Sequence, residues 1–146
     1  MTSLAIGGNP SFDVSDIELK RQGISYTVDS IKILNRGNPN GTKIWMIVGG
    51  DSFLEMDSWK DAGTIMAMCN FAVYPRPGFP IDALKAKGKS VSKHFDADIH
   101  FVQAPMIDIS STDIRNMVSK GKSIRYMVPD SVREYIMDKE LFATNG

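Results

Sequence analysis

Ile109-Ser110-Ser111-Thr112-Asp113-Ile114-Arg115 gathers three hydroxyl side chains, a carboxylate and a guanidinium in one short stretch. Ser110 or Ser111 fits the cap of a helix, which leaves backbone N–H groups aimed outward. Such a helix start, lined with small hydroxyl residues, can cradle an anion. Arg115 lies about one turn in, where a cation opposes the helix dipole at a cost of about 0.3–1 kcal/mol. An anion alongside explains that placement, and the planar fork of arginine suits phosphate. A plain serine-capped helix whose Arg115 pairs with a surface carboxylate uses the same residues without function.

Three further stretches offer binding chemistry. In Val48-Gly49-Gly50-Asp51-Ser52, two glycines after an apolar run allow a ligand close to the backbone, and Asp51 can accept hydrogen bonds from ribose hydroxyls. A tight turn with Asp51 as a helix cap reads the same residues structurally. In Ser25-Tyr26-Thr27-Val28-Asp29-Ser30, Ser25 or Thr27 is expected to cap a helix whose dipole Asp29 complements. Trp59, after Ser58, is expected in the first turn of a helix, able to stack on a flat ring or to fill the core.

These residues need elements to hold them. Phe12–Leu19 alternates apolar and polar residues and predicts a strand. Tyr26–Leu34 has helical spacing. Ile44–Val48 is a continuous apolar run ending in two glycines, the pattern of a strand buried on both faces. Trp59–Met68 predicts a helix, Phe71–Tyr74 a buried strand closed by Pro75, Ile81–Lys87 a helix and Ile99–Val102 a third short strand. Thr112–Ser119 and Ser131–Asp138 predict two more helices. Loops are expected at Asn35–Gly41 and Pro75–Pro80, with Lys87-Gly88-Lys89-Ser90 a mobile surface stretch. Strands alternating with helices argue for an α/β fold with a parallel sheet. Ligands of such sheets bind beyond the carboxyl ends of the strands, where all four stretches fall.

The chain has 146 residues, with 17 Lys and Arg balanced by 17 Asp and Glu. One domain over residues 1–146 is expected. A neutral chain has no global basic footprint for nucleic acid. The single Cys69 excludes an internal disulfide framework and a multi-cysteine metal site. No apolar run reaches the roughly 18 residues of a membrane helix, and Met1–Gly8 lacks the features of a signal peptide. Cytoplasm is the expected setting. His94 and His100 have no partner at ligand or base spacing, and Cys69 reads as a small buried hydrophobe. Lys120, Lys122 and Arg125 sit near a helix C-terminus and would extend positive charge toward a polyphosphate.

In order, SFDVSDIELKR (11–21), SYTVDS (25–30), IVGGDS (47–52), Trp59, CNFAVYPRPG (69–78), ISSTDIR (109–115) and IRYMVPDSVREYI (124–136) resemble bacterial nicotinate-nucleotide adenylyltransferase. The resemblance covers nearly the whole chain. ISSTDIR alone marks the nucleotidyltransferase superfamily; the combination is more specific. It implies a Rossmann-like nucleotidyltransferase fold and transfer of the adenylyl group of ATP to nicotinic acid mononucleotide, with Mg2+ accompanying the ATP. Products are deamido-NAD and pyrophosphate. Catalysis there is alignment and charge neutralisation. By motif, Ser110, Ser111, Thr112 and Arg115 would hold the ATP phosphates, with Arg115 catalytic. Tyr26 and Thr27, the latter through its backbone, would receive the nicotinate nucleotide, with Trp59 stacked on the pyridine ring. Gly49, Gly50 and Asp51 would face a ribose. No metal-ligating residue is implied. The resemblance implies no nucleic-acid or membrane partner and leaves a homo-oligomer open.

The family opens with a strand and a glycine-rich loop carrying a His-x-Gly-His type motif, which this sequence does not contain. Met1–Pro10 already resembles the helix and turn before the family's third strand, so an N-terminal strand–helix–strand portion is expected to be missing. The chain would then match about the C-terminal two-thirds of the family domain. Phe12–Leu19 would lack its usual neighbour, and the Ile44–Val48 strand would present an unpaired apolar edge. Two alternatives stay open: a non-catalytic fragment, or a nucleotidyltransferase with another phosphate acceptor.

Overall fold

A computed structural model describes residues 1–37, 42–75, 80–105, 107 and 109–143. The chain separates into two compact units, Ile17–Met106 and, from both ends, Met1–Asp16 with Ile107–Gly146.

The first of these is built on three parallel strands, β1 (Ile44–Gly49), β2 (Cys69–Tyr74) and β3 (Ile99–Phe101), side by side in chain order. Val48 pairs with Val73 and Phe71 with Ile99. Helices α2 (Thr27–Arg36), α3 (Gly50–Glu55), α4 (Ala62–Met68) and α5 (Ile81–Phe95) belong to the same unit. Leu84, Gly88 and Val91, spaced four and three apart, form the buried stripe of α5. Phe53, Met56, Ile65, Cys69, Phe71, Val73 and Leu84 are fully buried, and the Phe53 and Phe71 rings tilt against each other at 5.8 Å. This cluster takes in Val48, Phe71 and Val73, one face of the sheet.

Several expectations change here. Phe12–Leu19 forms no strand; it is turn and coil, with Phe12 and Leu19 exposed. Alternation alone does not place a segment in a sheet: this one pairs with neither β1 nor β3, whose outer edges are open among the described residues. β1 is buried on one face and not on both: Trp45 and Ile47, on the face away from the core cluster, are 51% and 79% exposed. Its outer edge has no strand beside it among the described residues. Lys87–Ser90 is not a mobile stretch but the middle of α5, which runs eight residues beyond Lys87 to Phe95. A Cβ on Gly88 would stand 3.2 Å from Phe101 Cζ and 3.3 Å from Ile99 Cγ2, so this glycine lets α5 lie close on β3 instead of breaking it. Arg76–Phe79 of the Pro75–Pro80 loop, and Asn38–Gly41 of the earlier loop, lie outside the described residues.

The other unit holds α1 (Thr2–Ala5), α6 (Ser111–Ser119) and α7 (Asp130–Asp138). Ile124, Val132 and Ile136 are its buried residues, packed by Ile114, Met117, Val118, Met127, Val128 and Leu141. Ser131 Oγ donates to Leu4 O at 3.1 Å, tying α7 to α1. Gly121, at φ +65°, ends α6: its N–H reaches Val118 O and the Lys122 N–H reaches Met117 O.

Candidate functional site

The start of α2 is a cavity of about 260 Å³ lined by Ser25, Tyr26, Thr27, Trp59, Lys60 and Ile65. Three residues singled out from sequence, Tyr26, Thr27 and Trp59, thus share one concavity. The cap of α2 is neither Ser25 nor Thr27. Tyr26 holds the cap position with extended backbone and no side-chain cap bond, while Ser25 Oγ donates to Glu18 O. The Asp29 N–H reaches Tyr26 O at 3.0 Å, so the N–H groups of Thr27 and Val28 lie outside the helix's own ladder. Asp29 falls in the first turn as expected.

Trp59 is not in a helix. It follows a 3-10 turn, Met56–Ser58, in extended conformation, and Asp61 at φ 52° separates it from α4. That left-handed residue delays the helix to Ala62 and frees the half-buried indole to wall the cavity. Sequence reasoning missed Lys60. Its Nζ stands 3.9 Å above the Tyr26 ring, a cation–π contact inside the cavity. A cation following a candidate stacking tryptophan was the available signal.

Gly49 caps α3, Gly50 is its first residue and Asp51 sits in the first turn, so Asp51 does not take the cap position. Gly50 is buried, and a Cβ there would approach Leu84 Cδ1 to 3.1 Å and Pro75 Cα to 3.7 Å. Packing of α3 on α5 therefore already requires a small residue at position 50.

In the other unit, Ser110 caps α6: its Oγ accepts from the Asp113 N–H at 3.0 Å and donates to the Asp113 carboxylate. Ser111 and Thr112 are the first helical residues, and their N–H groups project from the helix start. Arg115 is exposed and donates to Thr112 Oγ1 at 3.3 Å. Among the described residues no carboxylate pairs with it; Asp108, seven residues earlier in the chain, lies outside the described residues. Two roomier cavities, about 490 Å³ beside Ile124 and Met137 and about 510 Å³ beside Gly88 and Phe101, contain none of the residues of the four stretches, though Lys122 lines the first. Cys69 is buried, and burial pushes its thiol from 9.0 to about 11. Among the described residues no three of His, Cys, Asp and Glu cluster as a metal site, and no helix is long and apolar enough to cross a membrane.

Parallel strands alternating with helices, with small and polar residues at the helix starts, make a Rossmann-like α/β architecture. The cytidylyltransferase-like family profile matches residues 1–117, and the chain belongs to that family. The chain is 38% identical over 144 residues to a probable nicotinate-nucleotide adenylyltransferase of Herpetosiphon aurantiacus, covering 97% of this chain and 70% of that protein. It is also 38% identical to one from Moorella thermoacetica, covering 65% of that protein. Among solved structures it is similar to Plasmodium falciparum nicotinic acid mononucleotide adenylyltransferase complexed with NaAD, and to the same enzyme complexed with APC. These align at TM-scores of 0.61 and 0.62 and 22% identity, over 83% of this chain and 58% and 60% of theirs. Within the cytidylyltransferase-like class, the chain is a member of the nicotinate-nucleotide adenylyltransferase family, a family of transferases.

Proposed function

We propose that this chain binds nicotinic acid mononucleotide at the start of α2 and the triphosphate of ATP at the start of α6, and serves adenylyl transfer between them. In this reading residues 1–146 act as one nucleotidyltransferase domain. A phosphate oxygen of the mononucleotide attacks the α-phosphorus of ATP. The new P–O bond forms as the bond to the β-phosphate oxygen breaks, and pyrophosphate leaves.

The observation that carries the proposal is the cavity that joins Tyr26, Thr27, Trp59 and Lys60. The Trp59 indole offers a flat apolar face for a pyridine ring. The projecting N–H groups at Thr27 and Val28, together with the Lys60 ammonium, meet the ring's carboxylate. A carboxylate gains from both, whereas a carboxamide gains little from the cation, so the site favours the nicotinate form. At α6, the Ser111 and Thr112 N–H groups and the Arg115 fork meet phosphate oxygens as charge builds on them. Gly49 and Asp51, with Gly50 between them, are assigned to a ribose. Magnesium would arrive with the triphosphate as part of the substrate. A cytoplasmic setting accords with a lone, buried thiol.

Calorimetric titration of the chain with nicotinic acid mononucleotide, with nicotinamide mononucleotide as comparator, tests the acceptor assignment. Heat with the acid form, lost in Trp59→Ala, is expected. No heat with either form, or equal affinity for both, rejects it. Pyrophosphate release from ATP with the acid mononucleotide, over and above that with ATP alone, tests the transfer itself.

A further inference from the structure

On the far side of the sheet from β1, a cavity of about 510 Å³ runs between α5 and β3. Its floor is Gly88, Ile99 and Phe101, and its rim is Lys85, Lys89 and Lys93 with Ser92. Among the described residues β3 is the last strand of the sheet. Its inner side is committed to β2: Phe71 N–H reaches Asp98 O at 2.8 Å, and Val102 N–H reaches Val73 O at 2.8 Å. Asp98 and Val102 therefore point toward β2. By strand alternation, the N–H and C=O groups of Ile99 and Phe101 point to the open edge, beside their own apolar side chains.

The rim matches that edge in charge and in spacing. Lys85, Lys89 and Lys93 are exposed, and among the described residues none is paired with a carboxylate. The fourth lysine of this helix, Lys87, is drawn to the other side by Asp57. Lysines four apart on a helix repeat every ~6 Å. Alternate residues of an extended strand repeat every ~6.6 Å. A row of lysines on a helix beside an open strand edge thus presents a positive charge opposite every second residue of an added strand.

We propose that this groove is a docking site for an acidic, extended peptide segment of a partner protein, added as a strand on β3. Its backbone would complete the bonds of Ile99 and Phe101. Its alternate side chains, acidic with an apolar residue among them, would face Lys85, Lys89 and Lys93 and rest on Ile99 and Phe101. Strand addition between an edge strand and a helix is an established mode of peptide capture. A second copy of this chain fits less well, because a two-fold mate would bring its own lysine row to the same junction.

The probe is a fluorescein-labelled synthetic peptide of alternating Glu and Val, titrated into the full chain by fluorescence anisotropy. Two further versions carry backbone N-methyl groups on one or the other set of alternate residues. The proposal expects the parent peptide to bind and one N-methylated version to lose binding while the other retains it. The Ile99 and Phe101 amides should gain protection from hydrogen exchange. Lys89→Glu should weaken binding roughly tenfold, and Lys89→Arg should stay within roughly twofold. Absence of binding overturns the proposal. Equal binding by both methylated peptides, or by an oligothymidylate of similar charge, also overturns it, leaving only a polyanion patch. Protection of the same amides by concentration-dependent dimerisation without peptide overturns it in favour of a second copy. None of these readouts uses nucleotide, so failure here is separate from failure of the substrate assignments.

Discussion

The starts of α2 and α6 face the same physical problem and treat it differently. At α6, Ser110 satisfies the Asp113 N–H and the Asp113 carboxylate returns the bond, so this start is stable before any ligand arrives. At α2, no side chain caps the helix, and Lys60 with two aromatic rings surrounds the N–H groups instead. On the proposed reading, the α6 start takes a mobile, highly charged polyphosphate that can be gripped from one side. On the same reading, the α2 start takes a ring with a single carboxylate, recognised by shape and charge together. A helix dipole is common to both, and the neighbouring side chains set what each can select.

Truncating the ring wall at α2 should give the largest effect. Trp59→Ala removes stacking worth about 1–3 kcal/mol per ring, so affinity for nicotinic acid mononucleotide should fall roughly tenfold to a hundredfold in calorimetry. ATP affinity should be unchanged. A parallel loss for ATP would erase the division of labour between the two starts. Next in size is Arg115→Ala, which should cut ATP affinity roughly tenfold while sparing the mononucleotide. Arg115→Lys should recover part of it, the lysine lacking the fork. Ser110→Ala should cost about 1 kcal/mol in urea denaturation by loss of the cap; no comparable stabilising cap exists to remove at α2.

The Cys69 thiol provides the smallest signal and the common control. Its pKa is raised by burial from 9.0 to about 11, so the native state holds its proton more tightly than the unfolded chain. The stabilisation from this group is complete below about pH 9 and is lost as pH rises toward 11. Native protein at pH 8 should react slowly with a thiol reagent, and any variant that reacts fast has lost its fold.

The short parallel strands were legible because a continuous apolar run bounded by glycine or proline has few other fates in a chain of this size. β1 and β2 match expectation to within two residues. The α6 start was legible for the same reason, since hydroxyl residues before a helical pattern cap by short-range geometry. What escaped depended on the rest of the chain. Phe12–Leu19 has the alternation of a strand but joins neither edge of the sheet, because alternation alone does not fix a pairing. The Gly88 in α5 looked like a break because its use, close approach to Ile99 and Phe101, is fixed by residues that follow it in sequence. Lys60 escaped because its partner ring, Tyr26, is distant along the chain. The site was readable as a set of residue types, and only the fold shows that Tyr26, Thr27, Trp59 and Lys60 meet.

The bare side of β1 gives the molecule a built-in reporter. With only two tryptophans in the sequence, Trp45 on that wet apolar surface and Trp59 beside α2 occupy distinct environments. Whatever protein surface comes to rest against Ile47 must dry the Trp45 indole as it does so. The emission of this residue should therefore move to shorter wavelength on contact, making the exposed sheet an optical gauge of its own coverage.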